Sequence, residues 1–252
     1  MLAVFHKSVA EAPQELNPKD SSNGSSAVEV AEGFVRAFPQ AVQIQADKNC
    51  KMIYSHSQQA LLRPRSFAAV DNIFCLFEGM LENLPTLRQS YGLPKSISEV
   101  LFVIEAYRAL RDREPYPAHQ VVRDLRGQFA FVLYDREARG VFTASDSHGK
   151  VPFFWGTAAD GSLCFSDNAT LLKEGCGQSF APFPQGCFFA SVVGLNSYEH
   201  PLNEMKPMPR VDSQGQICGA TFKVDQLAKK YSPRGSSSFG KGTSWAASTI
   251  NV

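Results

Sequence analysis

The chain has 252 residues, of which 44% are hydrophobic, and 25 Lys and Arg against 24 Asp and Glu give it a formal net charge of +1. This balance argues against a protein that binds nucleic acid by neutralising phosphates, and it leaves no polybasic segment for a membrane surface. The sequence lacks an apolar run of about 18 residues and the ordered regions of a signal peptide. We therefore expect a soluble protein with no membrane span, located in the cytoplasm, with the nucleus as a second compartment to consider.

Hydrophobic periodicity and turn residues predict strands towards both ends of the chain and helices in its middle. The first part of the chain is predicted to contain a strand at 2–6, a polar loop at 11–26, a helix from Ser25 or Ser26 to Phe38, a hairpin of 41–46 and 51–56, and strands at 67–70 and 73–77. Three helices follow: one at 83–91, one that begins at 96 or 98 and ends before Pro115, and one at 119–125. The last part is predicted to contain strands at 128–134, 140–144, 152–156 and 162–166, a helical turn at 169–173, and short strands between 187 and 224. This order favours an α+β layered domain over alternating βαβ units. We assign residues 1–231 to one domain and the Ser- and Gly-rich residues 232–252 to a flexible tail.

The six cysteines and five histidines are scattered along the chain, without the spacing of zinc ligands. No metal or cofactor is therefore expected, and the thiols are predicted to be buried as small hydrophobic groups. Two nucleophile–base pairs remain as alternatives, namely Cys75 with His56 and Cys164 with His148.

Four segments resemble, in order and spacing, the glutaminase domain of asparagine synthetases. They are 77–83 (FEGMLEN) followed by Leu87-Arg88 and Tyr91-Gly92, 125–135 (LRGQFAFVLYD), 146–152 (DSHGKVP) and 183–186 (FPQG). The resemblance covers about half of the chain and implies a domain related to those that hydrolyse the side-chain amide of glutamine.

Two further motifs extend the resemblance over nearly the whole chain. They are Tyr91-Gly92-Leu93 and Leu110-Arg111-Asp112-Arg113, which are similar to the YGL and LRDR motifs of the plant aluminium-induced proteins, also described as stem-specific or auxin-repressed-like. This resemblance implies a four-layer αββα sandwich of the N-terminal-nucleophile hydrolase type, and an association with stress and hormone responses.

The resemblance also implies which positions carry the chemistry. In the amidotransferase class the nucleophile is a cysteine at the mature N-terminus, and its position matches Leu2, which has no nucleophilic atom. The asparagine and glycine that bind the oxyanion match Glu78 and Gly79, and an ionised carboxylate cannot donate a hydrogen bond. The aspartate for the substrate amine matches Ile97, and the arginine of an Arg-Asp pair matches Ser145.

The main hypothesis is therefore a catalytically silent, glutaminase-like binding or scaffold protein, with no catalytic residue and a candidate ligand pocket of Leu2, Glu78, Gly79 and Asn83. Its ligand would be a small molecule or a protein. One alternative is an enzyme with rewired amidohydrolase chemistry that uses Glu78 as acid or base. Another is a stress protein that acts as a homo-oligomer, most simply a homodimer.

Several of these positions also have purely structural explanations. A glycine at position 79 suits a tight turn between a strand and a helix, and Asn83 suits the cap of that helix. Arg111 and Arg113 suit the negative end of a helix dipole. A metal site of Glu78, Asp146 and His148 is a further alternative.

Overall fold

The computed structural model describes residues 1–16, 24–57, 59–112, 118–211, 215 and 217–230. The tail predicted for 232–252, part of the polar loop at 11–26, and Arg113 of the LRDR motif lie outside this part of the chain. None of the helices in the described ranges is long and apolar enough to cross a membrane.

The described residues form five α-helices and fourteen strands, with short 3-10 turns at Gln14–Leu16 and Gly177–Ser179. The helices are α1 Ala27–Ala37, α2 Leu84–Ser90, α3 Glu99–Asp112, α4 Ala118–Arg123 and α5 Ala169–Cys176. The strands are β1 Leu2–Phe5, β2 Val42–Asp47, β3 Cys50–Tyr54, β4 Arg65–Val70, β5 Ile73–Leu81, β6 Gly127–Asp135, β7 Gly140–Ser145, β8 Phe154–Thr157, β9 Leu163–Ser166, β10 Ala181–Pro182, β11 Cys187–Ala190, β12 Gly194–Ser197, β13 Asn203–Val211 and β14 Ile217–Lys229.

The strands form two six-stranded antiparallel sheets and one two-stranded ribbon. The first sheet has the order β10-β8-β9-β1-β3-β2, the second has the order β12-β11-β7-β6-β5-β4, and β13 pairs with β14. Strand β1 lies inside the first sheet, with β9 on one side and β3 on the other.

Three hydrophobic clusters show that the sheets are two inner layers between two helical layers. One cluster lies between the sheets and includes Phe5 from β1 and Val132 from β6. A second packs α2, α3 and α4 on the outer face of the second sheet, and a third packs α1 and α5 on the outer face of the first sheet. This arrangement confirms the predicted α+β, four-layer αββα sandwich.

The predicted helix boundaries follow from caps that are visible in the sequence. The Ser26 hydroxyl accepts a hydrogen bond from the Glu29 amide and the Glu29 carboxylate accepts one from the Ser26 amide, so α1 begins with a capping box. At the end of α2, Gly92 has φ +66° and the Leu93 amide donates to the Arg88 carbonyl at 2.8 Å. The helix C-terminus predicted from Tyr91-Gly92-Leu93 is confirmed.

Some predicted boundaries were wrong. Strand β5 continues to Leu81, so Glu78 and Gly79 lie within a strand and not in a turn between strand and helix. Helix α5 continues to Cys176, and β14 is 13 residues long where short strands were expected. The short strand β10 at Ala181–Pro182 was not predicted, because two residues are too few to show an alternating hydrophobic pattern.

Candidate functional site

The start of β1 lies in a buried network of four charged groups. The α-amino group of Met1 is 2.5 Å from Asp167 Oδ1, and Arg65 Nη2 is 2.6 Å from Asp167 Oδ2. Arg65 Nε also donates to Glu78 Oε2 at 3.0 Å. The side chains of all four residues are between 2% and 14% exposed, so the charges compensate one another largely out of contact with water.

Strand pairing brings these four groups together. Arg65 is the cross-strand partner of Glu78 in the β4–β5 pair, and Asp167 directly follows β9, the neighbour of β1. The Ser166 hydroxyl donates to the Met1 carbonyl at 2.8 Å and holds the end of β1 in place. The network therefore joins the two sheets at the end where β1 begins.

Burial and mutual charge shift the titration of the network. Burial, followed by the nearby Asp167 carboxylate, raises the pKa of Glu78 from 4.5 to about 7, although Arg65 acts in the opposite direction. Burial opposes the ionisation of Asp167, but the Met1 ammonium and Arg65 outweigh it and hold the pKa of Asp167 below its ordinary value. Burial also lowers the pKa of the Met1 amine. Asp167 is therefore the group of the network that favours its ionised form, whereas Glu78 titrates near neutral pH.

The side chain of Leu2 faces away from this network. Met1, Ala3 and Phe5 contribute to the cluster between the sheets, whereas Leu2 and Val4 belong to the cluster beneath α1 and α5. This alternation is the ordinary pattern of a strand. The network therefore meets β1 through the backbone amine of Met1, and Leu2 contributes apolar packing at 2% exposure.

Gly79 is required by the backbone itself. Its φ is +118°, and a Cβ atom at this position would lie 1.9 Å from the Gln128 carbonyl oxygen. Its amide donates to the Pro64 carbonyl at 3.0 Å. The N–H group that would bind an oxyanion therefore already has a partner within the protein.

Asn83 occupies the N-cap position of α2, but its side chain makes no capping hydrogen bond, so the predicted cap was wrong. Its amide nitrogen donates to the Asp124 carbonyl at 2.8 Å, and its side-chain oxygen accepts from the Arg126 amide at 3.0 Å. These two long-range bonds outcompete the local one and fix the segment between α4 and β6 against the end of β5. Leu2, Gly79 and Asn83 therefore contact other groups than those that bind Glu78. The ligand pocket suggested for these four residues stays a prediction.

The other two positions implied by the resemblance provide no charge. Ile97 is half-buried beneath α3, and its carbonyl accepts a hydrogen bond from the Arg88 guanidinium. The Ser145 hydroxyl donates to the Pro184 carbonyl at 3.2 Å. These hydrogen bonds link both residues to other parts of the protein.

Asp146 joins three of the resemblance motifs. Its carboxylate accepts from the amides of Phe129, His148 and Lys150 at 3.3, 2.8 and 3.4 Å, and its carbonyl accepts from the Gly186 amide at 3.2 Å. Asp146 is 1% exposed, so these bonds satisfy a buried carboxylate. The motifs at 125–135, 146–152 and 183–186 are therefore held together by the side chain and the carbonyl of one residue.

The metal site suggested by the sequence does not form in the described part of the chain. Glu78 is bound by Arg65, and Asp146 is bound by backbone amides. Within the described ranges, no group of three or more His, Cys, Asp and Glu is placed to hold a metal ion.

The cysteines with described side chains are all buried, as predicted, and none of them forms a disulfide. Burial raises the pKa of Cys75, and a hydrogen bond with Cys176 together with burial raises the pKa of Cys164. His56 instead shares a 3.2 Å hydrogen bond with Gln59, and His148 shares one of 3.1 Å with Ser147. Neither of the two suggested nucleophile–base pairs has a thiol that ionises readily.

Arg111, in the last turn of α3, has a more specific role than the helix dipole. Its Nη1 atom is 2.9 Å from Oδ2 of Asp135, a side chain that is 0% exposed at the end of β6. The other Asp135 oxygen accepts from the amides of Glu137 and Ala138 in the β6–β7 turn. The LRDR motif therefore supplies the counter-ion of a buried carboxylate.

Sequence reasoning missed Arg65 and Asp167, the two residues at the centre of the charge network. They are separated by about a hundred positions, and neither lies in a recognised motif. The one local signal was a charged residue at each of two strand ends, Arg65 before an apolar strand and Asp167 after one. Such a signal is too common to identify a site.

Comparison with known proteins shows the family to which the sequence is similar. Residues 2–224 match the model of a family described as "Aluminium induced protein". The stem-specific protein TSJT1 of Nicotiana tabacum is 37% identical over 148 residues, which are 57% of this chain and 99% of that protein.

Two further matches cover 28% and 61% of this chain. A probable glutamine-hydrolysing asparagine synthetase of Dictyostelium discoideum is 41% identical over 70 residues, which are 28% of this chain and 12% of that protein. The chain thus spans about an eighth of the length of that relative. The structure of glutamine phosphoribosylpyrophosphate amidotransferase from B. subtilis is 13% identical, with a TM-score of 0.44, and the match covers 61% of this chain and 35% of that one.

Proposed function

This chain belongs to the aluminium-induced protein family, and we propose that it is a catalytically silent, glutaminase-like domain that acts as a stress- or hormone-responsive binding or scaffold protein. The observation that carries the proposal is the sealed charge network at the start of β1. There the Met1 amine, which is the group that would act as a base, is held at 2.5 Å by Asp167. An amine held in this buried contact is not positioned to take a proton from an attacking group.

Two further features support the loss of amide hydrolysis. Met1 and Leu2 provide neither a thiol nor a hydroxyl at the start of the strand. The Gly79 amide is bonded to Pro64, and the neighbouring side chain is a carboxyl group instead of an amide. Loss of one oxyanion donor typically lowers the rate about 10²–10³-fold, and here the nucleophile is absent as well.

The direct test is ammonia release from glutamine by the purified full chain, with the glutaminase domain of an asparagine synthetase as the positive control. We expect no release above that of heat-denatured chain. We also expect no mass increase after incubation with an electrophilic glutamine analogue. Turnover that rises in proportion to the concentration of the chain, and persists in Leu2→Ala, would reject catalytic silence as described.

The binding part of the proposal needs a separate test. A ligand that binds the folded state raises the melting temperature by mass action. Thermal shifts measured with amino acids and amides should identify at least one compound that stabilises the wild-type chain. A screen without any stabilising compound, combined with no protein partner in cross-linking of plant extract, would remove the support for a binding role.

A second function, rewired amidohydrolase chemistry, is favoured by one observation. The pKa of Glu78 is raised to about 7, a value suited to a general acid or base at neutral pH. Glu78 is only 3% exposed and is bound by Arg65, so a substrate would have to displace that contact. A hydrolytic activity that is abolished in Glu78→Gln would favour this second function over the first.

Homo-oligomer formation is also part of the proposal. The two sheets end in strands β2, β10, β4 and β12, which have a neighbour on one side only within their sheets. Edge strands provide unpaired backbone groups that a second copy can use. Light scattering at micromolar concentration should give the mass of a dimer, and a monomeric mass would contradict homo-oligomer formation.

A further inference from the structure

A polar cleft separate from the charge network opens beside the start of β6. Its volume is about 690 Å³, within the range of about 300–1,000 Å³ that is typical of small-molecule sites. Four chain segments form it: Glu82 after β5, the residues from the end of α4 into β6, the turn after β7 and the residues after β12. Its basic lining residues are Arg123, Arg126, His148, Lys150 and His200.

The positive charge of this cleft is only partly balanced by acidic residues of the protein. Within the described ranges, Arg123, Arg126 and Lys150 take part in no ion pair, and all three side chains are exposed. The acidic lining residues are Glu82 and Glu199, so fixed cations outnumber fixed anions by three to two, before the two histidines are considered. This excess makes the cleft attractive to an anion.

A neighbouring residue is affected by the same accumulation of charge. Burial, followed by the positive charges of Lys230 and Arg123, lowers the pKa of His119 in α4. Arg123 therefore contributes positive charge to its surroundings as well as to the cleft.

The wall that carries Arg123 and Arg126 is held rigidly. Asn83 binds the Asp124 carbonyl and the Arg126 amide through its side chain, and the Arg126 carbonyl accepts from the Glu82 amide at 2.8 Å. The backbone of Arg126 is thus bonded on both sides, and it does not have to be ordered when a ligand binds.

The opposite walls are fixed by buried groups. The Asp146 carboxylate binds the amides of His148 and Lys150, and the Tyr198 hydroxyl donates to the Ser145 carbonyl at 2.9 Å. The His200 amide donates to the Ser197 hydroxyl at 3.0 Å. A pre-formed arrangement of cations lowers the entropic cost of binding.

We propose that this cleft binds a small-molecule polyanion whose charge is carried by phosphate groups. Two guanidinium groups and an ammonium group on fixed walls suit phosphate oxygens, because guanidinium makes paired, charge-assisted hydrogen bonds with them. The two glutamates on the walls would repel a long polyanion such as a nucleic acid, and the size of the cleft favours a compact ligand. The proposal goes beyond the proposed function, since it involves neither Glu78 nor the start of β1.

The test uses the full chain and inorganic pyrophosphate as the probe, in titration calorimetry at constant ionic strength. The triple variant Arg123→Gln, Arg126→Gln, Lys150→Gln should weaken binding by at least about tenfold, which corresponds to roughly 1.4 kcal/mol. The matched control is Arg36→Gln, Lys48→Gln, Lys173→Gln, which removes the same charge from exposed positions outside the cleft lining. The control should bind pyrophosphate within about twofold of the wild type.

Three results would overturn the proposal. One is the absence of pyrophosphate binding to the wild-type chain. Another is equal weakening in both triple variants, which would show attraction to net charge alone. The third is tight binding of citrate without binding of pyrophosphate, which would identify a carboxylate site. Glutamine turnover is measured separately on the wild-type chain, so failure here is distinguishable from failure of catalytic silence.

Discussion

The protein contains two groups of charged residues with opposite organisation. At the start of β1, Arg65, Glu78, Asp167 and the Met1 amine are buried and form ion pairs with one another. In the cleft beside β6, the basic residues are exposed, and within the described ranges Arg123, Arg126 and Lys150 lack an ionic partner.

This difference shows how burial determines what a charged group can do. Buried charges are stable only when they are paired, so the first group is committed to joining the sheets and has little capacity left for a ligand. Exposed charges are hydrated and contribute little to stability, so the second group remains available for binding. Removing charges should therefore lower stability in the first group and weaken ligand binding in the second.

The largest effect is expected for Arg65→Gln. This change leaves Asp167 and Glu78 without their shared cation in a buried setting, and it should lower the free energy of unfolding by about 3–5 kcal/mol. Arg63→Gln is the matched control, because Arg63 makes one hydrogen bond to the Lys150 carbonyl and should lose about 1 kcal/mol. Urea denaturation measures both, and similar losses would contradict a special role for the network.

Asp146→Ala should have the next largest effect, since it removes the support on which the cleft depends. Three buried or partly buried backbone amides lose their acceptor, and the loss should be about 2–4 kcal/mol in the free energy of unfolding. Asp124→Ala removes an exposed carboxylate and should change it by less than about 0.5 kcal/mol. Equal results in urea denaturation would show that the Asp146 contacts contribute no stability.

Glu78→Gln should stabilise the protein in a pH-dependent way. The folded pKa of Glu78 is raised to about 7 from 4.5, so the folded state binds more protons than the unfolded state between these values. Stability contributed by this group is therefore lost as the pH rises from 4.5 to about 7.

Glutamine imitates the protonated carboxyl group and removes this loss. The variant should be more stable than the wild type by about 1–3 kcal/mol at pH 8, with a smaller difference at pH 5. Glu174→Gln, at an exposed position on α5, should show no such difference between the two pH values. Chemical denaturation at both pH values decides this, and a destabilised variant at pH 8 would show that the ionised form is preferred.

The smallest effect on stability is expected where the largest effect on binding is proposed. The cleft triple variant should change the free energy of unfolding by no more than about 0.5 kcal/mol per site, because no ion pair of the described residues is broken. The Arg36, Lys48 and Lys173 triple should behave similarly. A loss above about 3 kcal/mol in the cleft variant alone would mean that its cations hold the structure together.

The sequence predicted the local elements well where their signals are local. The N-cap of α1 at Ser26, the turn that joins β2 to β3, and the end of α2 at Gly92 each depend on residues that are close together in the sequence. Predicted boundaries were wrong where the end of an element depends on pairing with a residue far away in the sequence. Strand β5 continues through Glu78 and Gly79 because β6 pairs with it up to Leu81.

Of the candidate site residues, the sequence identified Glu78 as a changed position but not its environment. Arg65 and Asp167 come from distant strand ends, and no pattern along the chain indicates that they meet. Asn83 was expected to act locally, but its bonds to Asp124 and Arg126 span about forty residues.

The sequence alone determined the order of the strands and helices, the resemblance that led to the αββα layers, and the absence of a nucleophile at Leu2. Only the tertiary structure decided that the Leu2 side chain packs beneath α1, that the charges around Met1 are sealed, and that those beside β6 remain open. The physical reason is that hydrophobic periodicity and capping depend on neighbouring residues, whereas the burial and pairing of a charge depend on residues that meet only after the sheets have formed.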